Sequence, residues 1–143
     1  MMKKTSFTRA DLAGFGVGLG SLWIQVELIR RLFAAFSGNE LTIGIALSMW
    51  MVGSGLGSLA LGRLSDRVKD PARALSAIFL LTALALVPLV FATARIKVWL
   101  GIGPGELAGL PAVMLAALIV AGPMAALFGF AFNLASRLQR DYE

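Results

Sequence analysis

The chain alternates between long apolar runs and short polar segments. Four runs stand out, at about residues 12–36, 41–61, 74–93 and 110–135. Each has about 20 residues or more, and a helix of that length, rising about 1.5 Å per residue, crosses about 30 Å of hydrocarbon. The pattern therefore predicts an all-α fold: a polytopic membrane protein whose single domain, residues 1–143, is a bundle of four transmembrane helices.

The polar segments between the runs predict turns and loops. Residues 37–40, "SGNE", predict a short turn, and residues 62–73, "GRLSDRVKDPAR", a charged loop. Asp70 is placed to cap the third helix and Pro71 to begin it. Residues 94–109, "ARIKVWLGIGPGELAG", are rich in glycine and contain a proline, which argues against a continuous helix. We expect the "RIKVWL" part to lie at the membrane interface.

Composition supports a membrane class and excludes several kinds of site. The chain is 58% hydrophobic and 15% charged, whereas a soluble domain is about half apolar and about a quarter charged. It contains no cysteine and no histidine. Disulfides, Cys/His zinc sites, His-ligated haem and a catalytic histidine are thereby excluded. We expect no metal and no cofactor.

The net charge of +5 is concentrated at the ends of the apolar runs. This distribution favours an orienting role in the membrane over nucleic-acid binding. With the N-terminus inside, nine basic residues would face the cytoplasm: Lys3, Lys4, Arg9, Arg63, Arg67, Lys69, Arg73, Arg137 and Arg140. Only Arg95 and Lys97 would lie outside, and Arg30 and Arg31 would lie within or at the end of the first span. Both termini are therefore predicted to be cytoplasmic, in the inner (cytoplasmic) membrane, with the first run retained as a span instead of being cleaved as a signal peptide.

Small residues form candidate packing faces on three of the predicted helices. On the second helix they follow helical spacing, and the fourth helix carries a similar set. The residues are Gly53, Ser54, Gly57 and Ser58, with Gly122, Ala126 and Gly129. Alternate glycines at positions 14–20 predict contacts on several sides of the first helix. Small residues let helix backbones approach closely in lipid. Static packing and a moving interface, as in a transporter, both remain open.

The segment "WIQVELIRRLF", residues 23–33, places Gln25, Glu27, Arg30 and Arg31 inside the first apolar run. Glu27 precedes the two arginines by three and four residues, so it shares a helical face with each, and Gln25 points elsewhere. An ionisable group inside a membrane indicates a function, because its burial is costly. Glu27 and an arginine could form a structural pair that holds the helix to its neighbours. The polar group could instead dock a partner subunit, or Glu27 could bind a cation or proton in transport.

The charged loop carries a short motif, G-x-x-x-D-R, made by Gly62, Asp66 and Arg67. It resembles the loop between the second and third helices of the major facilitator superfamily, with Lys69 and Arg73 following. The resemblance implies that Gly62 permits a tight helix end and that Asp66 pairs with basic groups to latch the cytoplasmic face. Lys69-Asp70-Pro71 replace that family's second glycine and paired basic residues, so a loop that only sets topology is the alternative.

A second resemblance covers most of residues 13–138. The stretches "GLGSLWIQVELIRRLFAAFSGNE", "ALSMWMVGSGLGSLALGRLSDR" and "AGPMAALFGFAFNLASRL" resemble the membrane-spanning part of integral-membrane spermidine synthase-like proteins. In that family, facilitator-like helices precede a soluble aminopropyltransferase-type domain. The glycine-rich nucleoside-binding loop and catalytic aspartate of that domain are missing from this sequence, so the resemblance implies no enzymatic activity.

Together these features predict a non-catalytic integral membrane subunit or anchor module. It would lie in the lipid bilayer and assemble with other membrane proteins or with itself, and it would not bind nucleic acid. One alternative is a small oligomeric transporter with Glu27 as its coupling or cation site. Another is the membrane module of a split or longer aminopropyltransferase-like protein.

Overall fold

The computed structural model describes residues 9–37, 40–103 and 105–142. It consists of four helices, α1 (Arg9–Ala35), α2 (Glu40–Ser65), α3 (Pro71–Trp99) and α4 (Leu110–Tyr142), with no strand among the described residues. All four are long and apolar enough to cross a membrane. The predicted all-α fold and its four helices of spanning length are confirmed. Lys3, Lys4 and the middle of the predicted turn at residues 37–40 lie outside the described residues.

The start of α3 was predicted correctly, and its end was not. The Asp70 side chain accepts a hydrogen bond from the backbone N–H of Arg73 at 3.1 Å, and Pro71 is the first helical residue. The expectation of a loose segment from Ala94 onward is wrong, because α3 continues to Trp99. The glycines begin only at Gly101, whose φ of +69° turns the chain away from the helix. The irregular connection is therefore residues 100–109.

Helix α4 is the centre of the bundle. It packs against α1, α2 and α3, whereas α2 and α3 barely touch each other. In its most apolar stretch 56% of the residues are buried, against 22% or fewer in each of the other helices. Since α1 contacts both α2 and α3 as well as α4, the α1–α4 pair separates the two outer helices.

All four helices meet around the ring of Phe128 on α4. Its ring centroid lies 6.3 Å from that of Trp50 on α2 and 6.5 Å from that of Phe79 on α3, the latter edge-on. Gly20 on α1 leaves room for both phenylalanines, because a Cβ there would lie 3.1 Å from Phe79 and 3.5 Å from Phe128. Edge-to-face aromatic pairs of this kind contribute about 0.5–1.5 kcal/mol beyond their buried area.

The other three glycines of the α1 series are open. A Cβ added to Gly14, Gly16 or Gly18 would meet nothing within 4 Å. Among the described residues only Gly20 of this series is closely approached, so the alternate glycines do not provide the several packing faces predicted for α1. The reason is that α1 packs along one edge, through buried residues such as Val17, Leu28 and Leu32.

Candidate functional site

The small residues of α2 and α4 lie against each other, backbone to backbone. A Cβ on Gly57 would collide with the backbone of Ala126, and one on Gly129 with the carbonyl of Ser54. A Cβ on Gly53 would lie 3.0 Å from the carbonyl oxygen of Gly122. Only glycine permits this approach, because no side chain rearrangement moves a backbone out of the way.

A pair of hydrogen bonds locks the same interface. The Asn133 side-chain amide donates to the Ser58 carbonyl at 2.8 Å, and the Ser58 hydroxyl donates to the Asn133 side-chain oxygen at 3.1 Å. Ser54 instead bonds within its own helix, to the Met51 carbonyl at 3.0 Å. Asn133 was missed from the sequence. Its signal was a lone amide side chain inside the fourth apolar run, where such groups usually bond across helices.

The charges of residues 23–33 form one cluster on α1. Glu27 Oε1 accepts from Arg31 Nε at 2.7 Å and contacts its Nη2 at 2.5 Å, while Oε2 lies 3.1 Å from Arg30 Nη2. The sequence predicted a pair between Glu27 and one arginine, and the structure shows Glu27 in contact with both. These contacts join residues of the same helix, so they do not fasten α1 to α2, α3 or α4.

The two arginines of the cluster occupy different surroundings. The side chain of Arg30 is 73% exposed, against 33% for Arg31 and 25% for Glu27. Arg30 borders a shallow apolar cleft of about 490 Å³ on the outside of α1, lined also by Leu19, Leu22, Trp23, Val26 and Glu27. Gln25 is half-buried, with no hydrogen-bond partner among the described residues.

Arg31 borders a second cleft, of about 440 Å³, between α1 and α3. Ala34 and Ala35 complete its α1 side, and its α3 side is formed by Val90, Phe91, Thr93, Ala94 and Lys97. The structure therefore brings together two basic side chains, Arg31 and Lys97, that the sequence pattern had placed in separate segments. Neither the cleft nor the role of Lys97 in it was predicted from the sequence.

The charged loop is held differently from what the facilitator resemblance implies. Asp66, Arg67 and Lys69 are exposed, and Asp66 makes no ion pair within the described residues. Arg73 pairs with Asp70 at 3.1 Å, which is the helix cap of α3. The loop is tied to α4 by Arg137, which donates to the Val68 carbonyl at 3.3 Å.

Gly62 lies at the end of the α2–α4 contact. A Cβ there would lie 3.3 Å from the Asn133 side-chain nitrogen. At the same end of the bundle, the Gln139 side chain donates to Asp11 at 3.2 Å, which joins the C-terminal part of α4 to the start of α1. The termini of the described chain are therefore neighbours, and the connection between α2 and α3, residues 66–70, lies beside them. This connection is shorter than the predicted loop at 62–73, because α2 continues to Ser65 and α3 begins at Pro71.

Residues 9–37, 40–103 and 105–142 contain no cluster of three acidic, histidine or cysteine side chains that could bind a metal ion. Comparison with protein-family models, curated proteins and solved structures finds no match. The family resemblances noted in the sequence stay predictions. The chain therefore has four helices long enough to span a membrane. Its α2 and α4 helices pack closely through glycines, and a charged cluster lies exposed on the surface of α1.

Proposed function

We propose that the chain is a non-catalytic membrane subunit or anchor module that binds a partner protein through the outer side of α1. The support for membrane insertion is the outer surface of the bundle. Large apolar side chains are exposed along α1, α2 and α3, among them Leu19, Trp23, Met51, Leu59, Leu84 and Val87. Soluble monomers rarely expose continuous apolar patches beyond about 300–600 Å², so lipid or protein must cover these faces.

The single observation that carries the docking proposal is the ion cluster on an uncovered face. Val26 and Arg30 are exposed on the outer side of α1, and the cleft beside the Glu27–Arg30 contact is lined by residues of α1 alone. Charged groups within a membrane are costly unless they face protein or water. The outer side of α3 has the same apolar character, at Leu84 and Val87, without a charge beside it. That difference distinguishes a docking face from a lipid-facing one.

A matched pair of variants tests the docking face. Val26 on α1 and Val87 on α3 are 63% and 61% exposed, so Val26→Trp and Val87→Trp add the same bulk to equally open positions. After purification in mild detergent, the partner recovered with the wild-type chain should be lost from Val26→Trp and retained by Val87→Trp. Equal recovery from both variants would contradict docking through α1.

We further propose that both termini face the cytoplasm, on the basis of the nine-to-two distribution of basic residues. Reporter fusions after Glu143 and within residues 68–70 should then report the cytoplasm, and a fusion near Gly103 should report the outside. An external C-terminus would overturn the four-span arrangement. If the aminopropyltransferase-like resemblance holds, the partner is an enzyme domain of that class, held at the cytoplasmic face.

A small oligomeric transporter is the second candidate, and one observation favours it. A cleft of about 340 Å³ between α1, α2 and α4 is lined by three serines and three aromatic residues: Ser21, Ser54, Ser58, Trp50, Phe128 and Phe132, with Gly55 and Gly129. A second copy would have to supply its missing wall, since four helices enclose little by themselves. A pure homo-oligomer that moves solute into liposomes, and loses that flux in Glu27→Gln, would favour the transporter over the subunit.

A further inference from the structure

We propose that the α1–α3 cleft binds the phosphate headgroup of an anionic phospholipid. The site is formed by Arg31 from one helix and Lys97 from the other, above the apolar side chains of Val90 and Phe91. Basic pockets between transmembrane helices bind anionic headgroups on the cytoplasmic or matrix side of membranes, and we assign the same chemistry to the opposite end of this bundle. The proposal rests on the membrane-spanning part of the proposed function, and it is independent of any partner on the outer side of α1.

Arg31 is held ready to donate. Glu27 occupies the Nε and Nη2 atoms of its guanidinium through one carboxylate oxygen. The remaining nitrogen, Nη1, has no partner among the described residues. An arginine whose orientation is already fixed loses less side-chain entropy when it binds a phosphate. Glu27 therefore acts as a positioning residue for Arg31.

Lys97 is a cation without a matching anion. Its ammonium lies 3.4 Å from the Glu106 carbonyl oxygen, a long hydrogen bond, and it makes no ion pair within the described chain. A lysine ammonium has three donors. Arg31 and Lys97 can thus supply donors from opposite walls of the cleft to one phosphate group.

The charge around the cleft suits a phosphodiester. Arg31 and Lys97 line the cleft and no acidic side chain does, which gives its walls a formal charge of +2. Glu27 pairs with Arg31 from beside the cleft and offsets part of this charge. The C-terminal ends of α1 and α3 also point to this end of the bundle, and each contributes about half a negative charge. The two cations that line the cleft attract a phosphodiester with one negative charge and repel a second cation.

The depth and walls of the cleft favour a lipid over free phosphate. Arg31 lies four residues before the end of α1 and Lys97 two before the end of α3, which is about 6 Å and about 3 Å along the axes. Both cations therefore lie at headgroup level if the helices span the membrane. Below Lys97 the α3 wall of the cleft is apolar at Val90, Phe91 and Ala94, and an acyl chain fits against this wall.

The test uses the purified full-length chain in mild detergent and native mass spectrometry of bound lipid. Phosphatidylglycerol should be retained in preference to phosphatidylcholine with identical acyl chains. Arg31→Gln and Lys97→Gln should each weaken phosphatidylglycerol binding by about fivefold, since one basic residue near a membrane surface contributes about 1 kcal/mol. Lys97→Arg should keep the preference. Arg95→Gln is the matched control, because it removes one charge from the same turn of α3 outside the cleft.

Equal binding of the two lipids by the wild-type chain would overturn the proposal, whether or not the variants fold. So would an equal loss in Arg95→Gln, which would indicate a general charge effect. Thermal unfolding with inorganic phosphate and with glycerol phosphate separates the sources: stabilisation by these as strong as by the lipid would indicate a free-phosphate site. Loss of the lipid preference would contradict the headgroup site but not the proposed partner binding through Val26. If alkaline carbonate extracts the chain from membranes, the chain does not span them, and both proposals lose their basis.

Discussion

The α2–α4 interface and the α1–α3 side of the bundle use opposite means of association. Between α2 and α4 the backbones touch through Gly57 and Gly129, and the polar atoms of Ser58 and Asn133 satisfy each other. Between α1 and α3 the helices diverge into a cleft, and the charges of Arg31 and Lys97 are balanced only in part by the chain itself. The polar groups between α2 and α4 are hydrogen-bonded to each other, whereas Arg31 and Lys97 can still donate to a ligand.

In a helical chain of this kind, polar groups that the chain itself does not satisfy are the best candidates for a binding site. Where the backbones of α2 and α4 touch, at Gly57 and Gly129, no space is left between them for a ligand. The cleft at this interface lies to one side of that contact, toward Ser21 of α1. The contacts of the α2–α4 face fit static packing, one of the two interpretations that the sequence left open. The remaining donors are on α1 and at the end of α3, and both proposals above rest on them.

The largest effect is expected from breaking the closed interface. Gly57→Leu should destabilise the chain by more than about 3 kcal/mol, because overpacking costs about 1–3 kcal/mol even where side chains can adjust. Here the obstacle is the backbone of Ala126. Gly55→Leu on the same helix is the control, since a Cβ there meets nothing within 4 Å. Thermal unfolding in detergent measures both, and similar losses in the two variants would mean that α2 does not pack on α4 through Gly57.

The sequence predicted the four helices but not which of them is central. Helix length and caps are local properties, so the helix starts at Asp70-Pro71 were accessible. In an all-apolar helix, however, the buried and outward sides carry the same kinds of residue. Leu134 is buried and Phe132 is exposed, yet no polar periodicity separates them. The central position of α4 and its pairing with α2 therefore required the structure.

The residues of the proposed sites also differ in whether the sequence pointed to them. Glu27, Arg30 and Arg31 were found because a charge inside an apolar run is a strong local signal. Lys97 was not assigned to a site, because its nearness to Arg31 depends on how α3 lies beside α1. The sequence also predicted that the helix breaks at Ala94, which put Lys97 in an irregular segment. In the structure Lys97 lies in the last turn of α3.

The next effect in size tests the charged side of the comparison. Arg30→Ala with Arg31→Ala should lower folded yield more than Glu27→Gln does, because it leaves an unpaired acid in the membrane. A lone charge costs about 2.5–3.5 kcal/mol at the bilayer centre, and less off-centre as here. Both arginines contact Glu27, so adding Glu27→Gln to the double variant should recover part of the loss. A triple variant equal to the sum of its parts would mean that the contacts contribute nothing.

A smaller effect is expected from opening the polar lock. Asn133→Ala should destabilise the chain by about 1 kcal/mol, since hydrogen bonds between transmembrane helices contribute about 0.6–2 kcal/mol. Ser58→Ala should cost less, because Asn133 still donates to the Ser58 carbonyl. Ser48→Ala is the control: its hydroxyl bonds only to the Gly44 carbonyl of its own helix. Unfolding midpoints in detergent should fall most for Asn133→Ala, less for Ser58→Ala and least for Ser48→Ala. The reverse order would mean that the Ser58–Asn133 hydrogen bonds do not stabilise the α2–α4 interface.

The smallest effect distinguishes the open and closed glycines of α1. Gly18→Ala should raise the stability of the isolated chain by about 0.5–1 kcal/mol, because alanine is the better helix former and its Cβ meets nothing within 4 Å. Gly20→Ala should gain nothing, since its Cβ would press on Phe79 at 3.1 Å. If a partner backbone packs on α1 near Gly18, the same Gly18→Ala should weaken the complex while it stabilises the free chain. Thermal unfolding and partner recovery are measured for both variants. A Gly18→Ala chain that is more stable and still binds its partner as well as the wild type would exclude close docking at that turn of α1.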